Sequence, residues 1–182
     1  MGTTLRHAPV KVSASRAAIV PVEIVGLPAE LDALGRRWQR KVEFHMTVIG
    51  HARIEPIAAE DPDAWQRVAR LTEGRAIGPI YVRRELRRVG HHPETPELET
   101  IVVMVDCPAL REVYREMSSE LGVELAPPPA HVTLYSTDAE RGIGINDDAQ
   151  LRERAPELSG EEQEELRRSM SFDEVFGQPA QR

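Results

Sequence analysis

Cysteine is almost absent from this chain. Cys107 is the only one in 182 residues, which excludes an intramolecular disulfide and any metal site built from several thiolates. Long apolar runs are missing too, and nothing approaches the ~18 consecutive residues that a membrane helix requires. The stretch from Met1 to Lys11 has no extended apolar core, so no secretory signal is expected and a reducing cytoplasm is the expected compartment. Nor is there an excess of positive charge. With 23 Lys and Arg against 30 Asp and Glu, the formal net charge is −7. Proteins that track a long nucleic acid draw most of their affinity from phosphate neutralisation on a basic face. An acidic chain points instead to a small ligand, or to a short strand end held in a locally basic pocket. The one dense basic stretch, Arg83, Arg84, Arg87 and Arg88, reads either as a solvated strand arm or as a source of one arginine for a phosphate.

What is present is an ordinary globular balance, 41% hydrophobic and 29% charged, in a length that allows one core or two small lobes. Ala18 to Val25 reads as a strand, with Pro21 marking an edge or a bulge. Gly26-Leu27-Pro28 then turns into an expected helix from Pro28 to Arg40, because Leu27, Leu31, Leu34 and Trp38 fall on one helical stripe. Val42 to Ile49 alternates as a strand, and a helix is expected from Asp61-Pro62. Gly78 to Val89 and Leu98 to Asp106 read as two antiparallel strands joined by a polar loop containing His91 and His92. Pro108 to Leu121 is the clearest helix, with Leu110, Val113, Tyr114 and Met117 inward and Gly122 as its stop. His131 to Ser136 reads as a strand, and Ser159 and Glu162 have the spacing of a capping box.

Two segments, 18–50 and 98–136, share a plan of strand, turn, proline-started helix and strand, which suggests a degenerate duplication. Residues 1–146 would then form a single bilobal domain, followed by a polar, partly helical segment over 147–182. The closing strands of the two units read Phe44-His45-Met46-Thr47-Val48 and Ala130-His131-Val132-Thr133-Leu134. Strand side chains alternate faces, so each strand presents an imidazole beside a hydroxyl and buries its apolar row, Met46 and Val48 or Val132 and Leu134. That pairing suits phosphoryl chemistry. An imidazole titrates near ~6.5, so one ring can take a proton while another gives one. A hydroxyl beside each can donate to a non-bridging phosphate oxygen. Which histidine is base and which is acid stays open at this level.

These two motifs, the Gly26-Leu27-Pro28 turn and the proline-rich approach Pro127-Pro128-Pro129 resemble the two-histidine (2H) phosphoesterase superfamily, its 2′-5′ RNA ligase-like and cyclic phosphodiesterase members in particular. The resemblance covers about Ile19 to Ser136. It implies an α+β, bilobal fold with two antiparallel sheets lining a central cleft and helices outside. It also implies metal-independent cleavage of 2′,3′-cyclic phosphates or of 2′-5′ and related linkages, without a cofactor. His45 and His131 match the catalytic histidines, and Thr47 and Thr133 the phosphate-binding hydroxyls. The acidic segment after Gly160 has no counterpart in that plan.

Tyr135 shares a face with His131 and Thr133 and is a possible substrate contact, as is Arg84. His91-His92 is expected to be an exposed turn, Cys107 inert packing, and Gly142-Ile143-Gly144 a loop at the cleft rim. The partners expected are a nucleotide or short RNA end, with no membrane and no long nucleic acid, bound by a monomer. A different reading is a protein that binds a nucleotide or cyclic phosphate without turning it over.

Overall fold

The computed structural model describes residues 3–177. Its first half is mostly strand: β1 (Thr4–His7), β2 (Lys11–Val12), β3 (Ala18–Glu23), β4 (Glu30–Ala33), β5 (Arg36–Arg40) and β6 (His45–Ile49). Two helices follow, α1 (His51–Glu60) and α2 (Ala64–Thr72). Then come β7 (Ile80–Val89), β8 (Thr100–Asp106), α3 (Ala109–Leu121) and β9 (His131–Ser136). The chain continues through α4 (Asp148–Arg154), α5 (Gly160–Ser169) and α6 (Phe172–Val175). No helix among the described residues is long and apolar enough to cross a membrane.

The architecture is α+β. Antiparallel pairing runs β3–β1–β7–β8–β9–β6 and returns from β6 to β3, which closes a six-stranded barrel. Closure removes the exposed edges that an open sheet would present. β2 extends the pairing of β3 beside β1, and the β4–β5 hairpin joins the wall through β5 against β9. The strands thus form one continuous hydrogen-bonded system.

Period-two alternation fills the barrel. Ala18, Val20 and Val22 of β3, Met46 and Val48 of β6, and Val132 and Leu134 of β9 are all buried, and all belong to the main core. Each of these side chains larger than Ala18 contributes about 1.5–3 kcal/mol relative to exposure. α3 closes over this core with Leu110, Val113, Tyr114 and Met117, and the Tyr114 hydroxyl donates to the Val48 carbonyl at 2.7 Å. Gly122 ends the helix in the left-handed conformation (φ 67°) that a residue without Cβ adopts freely.

The segment expected to be a helix from Pro28 to Arg40 is a hairpin instead. Leu31 pairs with Trp38 across β4 and β5, and Leu34 and Gly35 both have positive φ, 55° and 68°. Two successive left-handed residues make the two-residue turn whose twist suits a hairpin. Distant side chains fix it. The Leu34 N–H donates to Glu165 Oε1 of α5 at 2.7 Å, and the Trp38 indole N–H donates to the Ala33 carbonyl at 2.8 Å. The helical half of the duplication is therefore lost. The two segments share only an antiparallel strand pair, β3 with β6 and β8 with β9, whose second strand carries the His-x-Thr motif. Pro21 is not at an edge, since β3 lies between β1 and β6, but the β3–β6 pairing does carry an irregularity nearby, at Ala18–Ile19.

The C-terminal segment, described as far as residue 177, is built into the body. The capping box forms, with Glu162 N–H on Ser159 Oγ and Ser159 N–H on Glu162 Oε2. Leu166, Met170, Phe172 and Phe176 then enter the main core. A second, smaller core is made by Ile143, Ile145 and Ala155 against Val89, Leu98, Val102 and Met104.

Candidate active site

β6 and β9 are antiparallel neighbours, registered through Met46 opposite Val132. Both of those side chains are wholly buried, so the flanking residues face the other way. In an antiparallel pair, His45 and Thr133 flank that register point on one side, and Thr47 and His131 flank it on the other. The histidines therefore lie on a diagonal of the motif. His45, Thr47 and His131 line one cavity of about 240 Å³. Thr133, half-buried on β9, is not part of that lining.

The buried His131 ring is oriented by its own approach segment. Its Nδ1 lies 2.8 Å from the Pro129 carbonyl, which can only accept, so Nδ1 carries the proton and Nε2 presents a lone pair. Burial lowers its pKa below the ordinary histidine value. The Pro129 bond opposes that shift, and proximity to His45 adds to it. The pKa of His45, half-buried, is also lowered, first by burial and then by the charge of Lys41, with Glu43 opposing. Both imidazoles are accordingly neutral near pH 7 in the free site.

Residues from three other elements complete the cavity. Strand β6 passes into α1 with only Gly50 between, which brings the first turn of the helix to the cavity wall. Arg53 of that turn lines the cavity, donates from Nη1 to the Asn146 carbonyl at 2.6 Å, and lies 5.7 Å from the Tyr114 ring centroid. The sequence pattern did not single out this arginine, and Arg84, which it did, lies elsewhere. Gly50 caps α1 without a side-chain hydrogen bond, so the positive end of the helix faces the cavity uncapped. Ser13 and Ser15, between β2 and β3, also line the cavity and bring hydroxyls whose oxygens are 2.8 Å apart. Gly144 and Asn146, in the loop after β9, line the cavity as well. Lys41 holds the start of that loop by donating to the carbonyls of Ala139 (2.5 Å) and Arg141 (3.0 Å).

The two possible substrate contacts lie elsewhere. Tyr135 is fully buried, its hydroxyl donates to the Pro28 carbonyl at 3.0 Å, and burial pushes its pKa up to about 12. A bulge in the β8–β9 register and the β5 pairing turn it into the wall rather than the cavity. Arg84 on β7 pairs with Asp173 and lies over the Phe172 ring, on the α5–α6 side. Its arginine neighbours are paired as well. Arg83 and Arg87 meet Glu85, and Arg88 meets Glu99. Cys107 is buried, and burial raises its thiol pKa. His91 and His92 lie in a turn closed by a Thr95 N–H to His92 carbonyl bond of 3.2 Å. Among the described residues, no three His, Cys, Asp or Glu side chains are grouped as metal ligands. No family model, curated protein or solved structure matches the chain.

Proposed function

We propose that the chain is a phosphoesterase that hydrolyses a nucleotide phosphodiester, either a 2′,3′-cyclic phosphate or a 2′-5′ or cyclic oligonucleotide linkage. His131 serves as base and His45 as acid. The observation that carries this reading is the convergence of His45, Thr47 and His131 on one cavity with Arg53 in its wall. His131 Nε2 takes a proton from water as the water oxygen attacks phosphorus. The P–O bond to the leaving oxygen breaks, and His45 donates a proton to that oxygen. An anion in the cavity raises the pKa of His45 by opposing the effect of Lys41 and of burial, so binding charges the acid. Thr47, Arg53 and the first turn of α1 hold the phosphate oxygens. The two lobes implied by the resemblance to 2H phosphoesterases would be the β3–β6 and β8–β9 halves, with the phosphate at their junction. The protein would act as a cytoplasmic monomer on a free nucleotide or short RNA end, with neither metal nor cofactor in the step.

Burial lowers the pKa of both rings, so neither readily gives a proton before an anion arrives, and a second reading is binding without turnover. Cyclic nucleotides and 2′-5′ oligonucleotides incubated with the protein in excess chelator separate the two. Ring opening or cleavage that persists in chelator supports the enzyme. Tight binding with no product supports the binder. Turnover that returns only on adding a divalent cation overturns the two-histidine mechanism.

A further inference from the structure

The histidine cavity borders a larger groove of about 770 Å³, and His45 and Ile19 line both. At about 240 Å³ the first space falls below the range of ~300–1,000 Å³ typical of ligand pockets, while the groove lies within it. The smaller space suits the reacting phosphate and its sugar, and the larger one can hold a further group of nucleotide size.

The groove has the chemistry of a single-stranded nucleic acid surface. It is lined by Lys11, Arg40 and Lys41 against Glu23 and Glu43, a local excess of one positive charge on a chain whose net charge is −7. Arg40 places one N–H on the Leu27 carbonyl at 2.5 Å and keeps other donors for a ligand. The same groove is lined by Phe44, half-buried against the main core, and by Val25 and Val42, which are 73% and 81% exposed. Only one other large apolar side chain among the described residues, Val123, is exposed. Two of the three thus stand in one groove beside a catalytic candidate. Cations that track phosphates, interleaved with an aromatic and apolar platform for bases, are what a short single strand requires.

We infer that the groove binds a second nucleotide next to the reacting phosphodiester, so that the substrate is an oligonucleotide of at least two residues rather than a mononucleotide. This rests on the phosphoesterase reading of the same site. The second base lies on Phe44 and Val42, and its phosphate meets Lys11 or Arg40. The acidic remainder of the surface limits the strand to a few residues.

The test compares kcat/KM for a mononucleoside 2′,3′-cyclic phosphate, a dinucleotide ending in a 2′,3′-cyclic phosphate, and a 2′-5′ dinucleotide. At least one two-residue substrate should be favoured by about tenfold or more, the contribution of one stacked base. Val42→Asp and Lys11→Glu, both at exposed positions, should bring that ratio down toward one. Equal kcat/KM for one and two residues, or a ratio unchanged in both variants, overturns the inference. If wild type turns over none of the three, the phosphoesterase reading fails. Equilibrium binding of the same compounds then decides the groove independently: tighter binding of the dinucleotides that is weakened by Val42→Asp sustains it, and equal binding overturns it.

Discussion

The two strands that carry the His-x-Thr motifs are held very differently. β9 is registered with β8 from Thr100 opposite Ser136 to Met104 opposite His131, and its other edge is shared by β5 and β6. β6 pairs along β3 but meets β9 at the single register point of Met46 and Val132. His131 is correspondingly buried, with its tautomer set by Pro129, whereas His45 is half-buried beside the charges of Lys41 and Glu43. A ring with a fixed lone pair suits proton acceptance. A ring among charges, whose protonation responds to an incoming anion, suits proton donation. Similar motifs therefore need not mean interchangeable residues.

The largest effects should come from the histidines. His131→Ala or His45→Ala should each lower kcat by about 10²–10⁴-fold, and the double variant should fall far short of the product, because acid and base act together. The pH profile of kcat/KM separates the two. Both limbs should lie below the ordinary histidine value of ~6.5, because both pKa values are lowered. Residual activity in the His131 variant should lack the acid-side limb, and in the His45 variant the alkaline-side limb. Exchanged limbs would reverse the assignment.

Next in size is Arg53, which reaches the site from the β6 side through α1. Arg53→Met should weaken affinity for inorganic phosphate about a hundredfold, with partial recovery in Arg53→Lys, as measured by titration. The threonines should then differ as their strands do. Thr47→Ala should cost about tenfold in kcat/KM, the loss of one hydrogen bond to a charged group, while Thr133→Ala should change it less than about twofold. Equal losses would mean a symmetric site.

The smallest effect is on stability. A buried histidine with lowered pKa binds its proton more tightly in the unfolded chain. Stability is therefore fully present above about 6.5 and is lost as pH falls toward the folded-state value, by at most ~1.4 kcal/mol per pH unit for one histidine. Denaturant midpoints measured on both sides of that value should show the loss. His131→Gln should reduce it more than His45→Gln, and the reverse order would contradict the difference in burial.

Much of this was legible in local pattern. The alternation in β6 as far as Val48 and in β9 as far as Leu134, the stripe of α3 with Gly122 after it, and the Ser159–Glu162 box read correctly, because side-chain period and capping are short-range, but the bulge that buries Tyr135 was not legible. The β4–β5 hairpin was not legible. Leu27, Leu31, Leu34 and Trp38 fit a helix as well as Leu31 facing Trp38 fits a hairpin, and leucine is a poor marker for a left-handed turn residue. The partner that steadies the turn, Glu165, is 131 residues away. Gly35 was the available warning, at about 1 kcal/mol against a helix interior. In the site, His45, Thr47 and His131 announced themselves by spacing. Arg53 did not, because its helix contains Pro56, and Ser13 and Ser15 reach the cavity only through barrel closure.

The single register point between β6 and β9 has a mechanical consequence. A closed barrel is as stiff as its shortest seam, and here that seam runs between the two proposed reacting groups. Thermal breathing will part the wall at Met46 and Val132 before it loosens β7 from β8, so backbone amides of β6 should exchange with solvent ahead of those of β8. Compliance is thus concentrated where a ligand would enter. The spacing of the two rings becomes an adjustable quantity, set by whatever occupies the gap, while the rest of the wall holds its shape.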